Sequence, residues 1–201
     1  MKQKDPYANV NAPAVPNGPC QSVNVNTQTN ATLNPGCFGG MNLNGNVTLN
    51  PGLYIIDGGD FRVGSQATVT CNGCTIVLTN KVANSTQIGV VDIQGSPTIN
   101  MSAMTTGTYA GILFYQDRRA VDGNGQNYQH HINGSATSSF TGAFYFPKQE
   151  VYFNGTSGMN TNCVQMVGRR VNFSGNTTIT NTCPTDWPGP NFDGQMIRLV
   201  A

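Results

Sequence analysis

Charge is what this sequence has least of. Only 9% of its 201 residues are Asp, Glu, Lys or Arg, against a usual share of about 25%. The formal net charge is +1, which leaves no long-range field to hold a polyanion and speaks against a nucleic-acid or anionic-membrane footprint. Long apolar runs are missing too. The strongest, "YAGILFY" at Tyr109 to Tyr115, is far short of the roughly 20 residues that span a bilayer, so no membrane span is expected. The opening "MKQKDPYANVNAPAVPNGPC" has charges but no apolar core of a secretion signal, so a signal or anchor is expected to have been removed or to belong to a longer parent. Also missing are a sustained helical period and the G-x-S-x-G, H-E-x-x-H and phosphate-loop patterns. Only one glutamate, Glu150, and two histidines, His130 and His131, are present.

What fills the chain instead is Gly (24), Asn (25) and Thr (22), so uncharged polar groups carry its solubility. Disorder is excluded by 38% apolar content gathered in short β-branched and aromatic runs. The length suits a single all-β domain with a sizeable core. Six cysteines, an even number, point to an oxidising compartment. Eight Asn-x-Ser/Thr triplets between Asn30 and Asn176 read as turn chemistry in an Asn-rich chain.

One phrase recurs. A Gly preceded by an apolar-polar pair and followed by small polar residues appears in "LNGNVTLN" (Gly45), "IQGSPTIN" (Gly95), "INGSATSS" (Gly134), "FNGTSGMN" (Gly155) and "FSGNTTIT" (Gly175), with a looser copy at Gly64. "TLNPG" likewise occurs at Thr32 to Gly36 and at Thr48 to Gly52. Side chains alternate with period two around each copy, as at Leu43, Val47 and Leu49, or at Val171, Phe173 and Ile179. Repeats of roughly 20 residues made of strands and turns predict an all-β, single-stranded parallel β-helix (β-solenoid), stapled by disulfides. Each Asn-Gly or Asn-Pro-Gly then places a glycine at a corner, where stacked Asn side chains hydrogen-bond to one another. The expected layout is a single domain over 1–201: an extended N-terminal cap over 1–30, coils over 31–185 with a loop insertion near 117–131, and a closing segment over 186–201.

"NPGLYIIDGGDF" (Asn50 to Phe61), "YAGILFYQDR" (Tyr109 to Arg118), "GAFYFPKQEVYFNG" (Gly142 to Gly155) and "IRLV" (Ile197 to Val200) together resemble the C-terminal β-rich part of TadG-like proteins of the bacterial tight-adherence (Flp) pilus system. "DPYA" at Asp5 to Ala8 belongs to the same resemblance. Members of that family usually carry an N-terminal membrane helix, often with a von Willebrand factor A-like region, and this chain shows neither. The resemblance implies an excised or shortened structural or adhesive module of the cell surface or envelope, in the periplasm or outside the cell. Its expected partners are pilus or envelope proteins, or surface glycans. A carbohydrate-binding or carbohydrate-active β-helix and an ice-binding β-solenoid remain as alternatives.

Site candidates are few. Asp57 and Asp60 in "IDGGD" offer hard oxygens to Ca²⁺, the only cofactor to consider, but a turn capped by Asp is the favoured reading and no metal is assigned. His130 and His131 are assigned to a loop, and on a strand they would point to opposite faces, which disfavours a shared metal. Asp117 beside Arg118 and Arg119 reads as a turn ion pair. With nine acids and no recognisable pair beyond Asp57 and Asp60, the acid-pair chemistry of glycan cleavage is not expected and no catalytic residue is assigned. Alternation in "AFYFP" and "VYF" turns Phe144, Phe146, Val151 and Phe153 inward, leaving Tyr145 and Tyr152 outward as a possible glycan platform. An ice-binding surface would need a flat array of Thr-x-Thr. Thr68 with Thr70 and Thr178 with Thr180 supply two pairs, with the intervening repeats out of register.

The cysteines follow from spacing. Cys71 and Cys74 flank an Asn-Gly turn and read as a local disulfide. Cys163 and Cys183 each lie eight residues beyond a repeat glycine, so equivalent positions on strands about 4.8 Å apart should bond. Cys20 and Cys37 are the remaining pair.

Overall fold

The computed structural model describes residues 5–123, 125–176 and 182–189. In chain order the strands are β1 (Gln21–Val25), β2 (Asn30–Leu33), β3 (Gly36–Leu43), β4 (Asn46–Leu49), β5 (Gly52–Asp57), β6 (Phe61–Val63) and β7 (Thr68–Asn72). There follow β8 (Cys74–Thr79), β9 (Val91–Ile93), β10 (Thr98–Ser102), β11 (Ile112–Gln116), β12 (Gln129–Gly134), β13 (Ser139–Gly155) and β14 (Asn160–Gly175). A 3-10 turn at Gln126–Tyr128 is the only helical element among the described residues, and no helix there is long and apolar enough to cross a membrane.

Every strand pairing is parallel, and the pairings fall into three ladders. The first runs β2, β4, β7, β10 and the start of β13. The second runs from the start of β3 through β5, β8 and β11 to the middle of β13. The third takes β1, the end of β3, β6, β9, β12 and the end of β13. β14 pairs along β13.

This connectivity corrects the expected single-stranded β-helix of 20-residue coils. Because β11 pairs with β13 as well as β8, the sheet closes through β11, β8, β5, β3, β6, β9, β12 and β13 into an eight-strand parallel barrel, with the other strands outside it. The physical cause lies in the long strands. β3 and β13 each continue as one strand around a bend, so each hands the sheet from one ladder to the next: β13 pairs with β10 at Ser139–Thr141, with β11 at Ala143–Tyr145 and with β12 at Glu150–Gly155. Short repeated phrases do not reveal which segments run on through a bend. Nor is the period constant, since stacked partners lie 16 residues apart at Asn30 and Asn46 but 39 apart at Asn100 and Ser139.

The Asn-Gly phrase works at the backbone level. A Cβ at Gly45 would run into the carbonyl oxygens of Thr29 and Asn26, so only glycine lets the two chain segments approach there. Stacked asparagines bond beside these bends: the amide of Asn46 donates to Asn30 (3.0 Å), that of Asn50 to Asn34 (2.7 Å) and that of Asn42 to Asn24 (3.1 Å).

The core is filled by the inward side of all three ladders. Phe144, Phe146, Val151 and Phe153 are fully buried in it. Phe114 sits at its centre, 5.2 Å from Phe144 edge-on and 5.9 Å from Phe61, contacts worth about 0.5–1.5 kcal/mol each beyond area burial. The second ladder is buried on its outer side as well. β8 and β11 are buried at every position, which is why "CTIVLT" and "ILFYQ" read as continuous apolar runs without alternation.

Disulfides join Cys20 to Cys37, Cys71 to Cys74 and Cys163 to Cys183, with no free cysteine among the described residues. Such a pattern suits an oxidising compartment.

Candidate functional site: an uncharged sheet face and the groove at its edge

The first ladder has one face in the core and one open. Its strands read "NATL", "NVTL", "TVTCN" and "TINMS". The buried positions include Val47, Leu49, Val69, Ile99 and Met101, so the alternate residues must face outward. Register aligns them into rows. Asn30, Asn46, Thr68 and Thr98 form one row. Thr32, Thr48, Thr70, Asn100, Ser139 and Asn160 form a second. Asn72, Ser102 and Thr141 form a third. Neighbours within a row are about 4.8 Å apart and rows about 6.6 Å apart, from the strand spacing and twice the rise per residue.

No ionisable side chain stands in these rows. At the far end hydroxyls and amides satisfy one another: Asn100 Nδ2 donates to Ser139 Oγ (3.0 Å) and Ser102 Oγ to Asn72 Oδ1 (2.9 Å). The hydroxyls of Thr32, Thr48, Thr68 and Thr70 make no side-chain hydrogen bond among the described residues, and a shallow depression of about 290 Å³ lies over them.

Beside the third row the face drops into a groove of about 630 Å³. Asn72, Ser102 and Thr141 line one side, with Thr105, Met104 and Trp187 among the other lining residues. Trp187, the only tryptophan of the chain, also packs against the main core. Its indole lies so close to Gly111, at φ +79°, that a Cβ there would meet the ring at 3.3 Å and the Gly189 nitrogen at 2.8 Å. Asp186 is the one ionisable side chain lining the groove among the described residues.

The expected sites lie elsewhere, and several need correction. Tyr145 does not face solvent: it is fully buried on the outer side of the second ladder, beneath the N-terminal segment. Its hydroxyl donates to Asp5 (2.7 Å) and accepts from Arg118 Nε (2.7 Å), and Tyr7 packs edge-on at 5.5 Å. Burial pushes its phenol, and that of Tyr7, well above the ordinary value. Tyr115 stacks on it at 5.1 Å and donates to Val10 O (2.8 Å). Arg118 bonds the carbonyls of Val10 (2.8 Å) and Tyr7. Tyr152 is half-buried, stacks on His131 (5.4 Å) and donates to Glu150 (3.1 Å). The two tyrosines therefore make no common platform.

The histidines are not loop decoration. Both lie on β12, and His130 is fully buried. Its Nδ1 accepts the Val91 N–H (3.1 Å), its Nε2 faces Gln149 Oε1 (3.2 Å) and its ring stacks on Phe146 (3.7 Å). Burial pushes its pKa down to about 3, so it is neutral and structural. His131 on the opposite face shares no metal with it.

Asp57 accepts from the Lys81 backbone (2.7 Å) and pairs with its ammonium (3.3 Å). Asp60 pairs with Arg62 (2.7 Å) and accepts from Val90 N (2.9 Å). No cluster of three or more His, Cys, Asp or Glu side chains suited to a metal exists among the described residues. Asp117 pairs with Arg119 at 2.7 Å. Burial alone would raise its carboxyl, but bonds from Arg119 and Thr79 hold it below the ordinary range. Asp5, Asp122 and Glu150 pair with Arg118, Arg169 and Arg170. Six of the nine acids are thus each tied to a separate cation.

Thr68 and Thr70 belong to the rows, but the adjacent strands pair them with Asn46 and Thr48 on one side and Thr98 and Asn100 on the other, so Thr-x-Thr itself is not repeated on these neighbours. Thr178 and Thr180, like Ile179 and the closing "IRLV", fall outside the described residues. The rows were legible as Asn-x-Thr, Thr-x-Thr and Thr-x-Asn in successive strands. The groove was not, because Trp187 reaches it from the far end of the chain. Compared with family models, with curated proteins and with solved structures, the chain finds no match in any of the three.

Proposed function

We propose that the protein is a non-enzymatic structural or adhesive module of the cell surface or envelope, and that the first ladder's open face is what adheres. The observation that supports it is the in-register, uncharged array of hydroxyls and amides, beside a fold in which six acids are each tied to a single cation. A rigid parallel sheet holds many weak polar contacts in fixed geometry, so their sum rather than any one group supplies the affinity. Three disulfides fit secretion. The phrases shared with TadG-like proteins suggest a bacterial tight-adherence pilus context, in which pilus or envelope proteins are the structural neighbours.

Adsorption of the purified chain to whole bacterial cells tests this reading. Binding is expected to saturate, to release no sugar product and to persist in the Asp57→Asn, Asp60→Asn double variant. Glycan cleavage abolished by that pair would contradict it, as would binding indifferent to the open face in a Thr48→Arg variant.

A further inference from the structure

We infer that the ligand of the open face and its groove is a neutral polysaccharide, laid along the rows with one sugar against Trp187; this rests on the adhesive reading above. Four features combine. The rows carry no charge, and the groove's single ionisable group is the carboxylate of Asp186, which repels anionic glycans yet accepts bonds from neutral hydroxyls. The hydroxyls of Thr32, Thr48, Thr68, Thr70 and Thr141 and the Asn72 amide nitrogen have no side-chain partner among the described residues. Each threonine offers a donor and an acceptor, as does each hydroxyl of a sugar.

Third, a strand step of about 4.8 Å is close to the advance of one sugar in an extended pyranose chain. A repeating ligand can therefore meet successive strands in the same way, which a single small molecule cannot. Fourth, the third row is also a wall of the groove: Asn72, Ser102 and Thr141 face a space bounded by the indole of Trp187 and by Met104. A pyranose ring has the matching division, with hydroxyls around its edge and C–H groups on its faces for an aromatic ring.

The test is retention of the 201-residue chain on insoluble cellulose, chitin and cross-linked dextran, with heparin-agarose as the polyanion. Retention is expected on at least one neutral matrix, with elution by its soluble oligosaccharide and none on heparin. Thr70→Arg and Trp187→Ala should each cut the retained fraction about tenfold or more. Since Trp187 also packs on the core, Thr70→Arg, at an exposed position, separates loss of ligand from loss of fold, with circular dichroism as the check. No retention on any neutral matrix, retention unchanged in Thr70→Arg, or retention on heparin alone would overturn the inference. Ice-crystal shaping abolished by Thr70→Arg, without matrix binding, would overturn it in favour of a water lattice. Cell adsorption that survives while every matrix fails sinks the polysaccharide alone; loss of both sinks the adhesive reading with it.

Discussion

The first and second ladders of this protein are built from the same parallel pairing and differ in what covers them. β8 and β11 are buried on both sides, and the N-terminal segment from Asp5 to Asn11 lies over their outer face, held by Tyr7, Tyr115, Tyr145 and Arg118. β4 and β7 are buried on one side only, β2 at the end of the ladder is half-buried there, and all three present Asn and Thr on the other. Among these strands, then, side-chain alternation marks an open face and its loss marks a covered one. On this account the covered ladder carries stability and the open ladder carries binding.

Substitutions that respect or violate that division should sort by size. Tyr145→Ala removes a ring packed on both sides, and a loss of about 3–5 kcal/mol in urea unfolding is expected. A loss below about 1 kcal/mol would mean that the N-terminal segment does not seal that face. Next come the disulfides. Replacing both Cys163 and Cys183 by Ala opens a 20-residue loop and should cost about 3 kcal/mol, whereas the same change at Cys71 and Cys74, three apart, should cost about 1.5 kcal/mol on loop entropy. Equal costs would show that closure of the chain's end contributes nothing special.

Acid sharpens the comparison at an interior polar group. His130 is neutral with a folded pKa near 3, while the unfolded chain protonates it below about 6.5. Its contribution is intact above pH 6.5 and is lost as pH falls from there toward 3, at up to about 1.4 kcal/mol per pH unit. His130→Gln should flatten that limb of the stability profile, and an unchanged slope would place the acid sensitivity elsewhere. Smallest of all, Thr48→Ala on the open face should change stability by less than about 0.5 kcal/mol while weakening adsorption.

How far this was readable from the sequence follows the same division. The open strands were legible, because "NVTL" and "TVTC" alternate and their Asn-Gly phrases mark the bends. The inward set Phe144, Phe146, Val151 and Phe153 followed from period two as well. The misplacement of Tyr145 came from extending that alternation into "GAFYFP", a continuous run. Such a run announces a covered strand but does not say what covers it: the partner, Asp5, is 140 residues away. Closure of the barrel was hidden for a related reason. It depends on β13 running on from Ser139 to Gly155 past the break in its pairing between Phe146 and Glu150, where Pro147 lies, which no local repeat encodes. His130 was hidden because its burial rests on Gln149 and Phe146, side chains that only the β12 and β13 pairing brings beside it.

The most direct test places the same charge on each ladder in turn. Thr70→Arg should unfold at the wild-type urea midpoint and lose adsorption to cells. Tyr145→Arg, which buries a second cation beside Arg118 with only Asp5 for both, should fail to reach the native state. A Thr70→Arg protein that adsorbs normally, or a Tyr145→Arg protein that unfolds at the wild-type midpoint, would contradict the assignment of binding to one face and stability to the other.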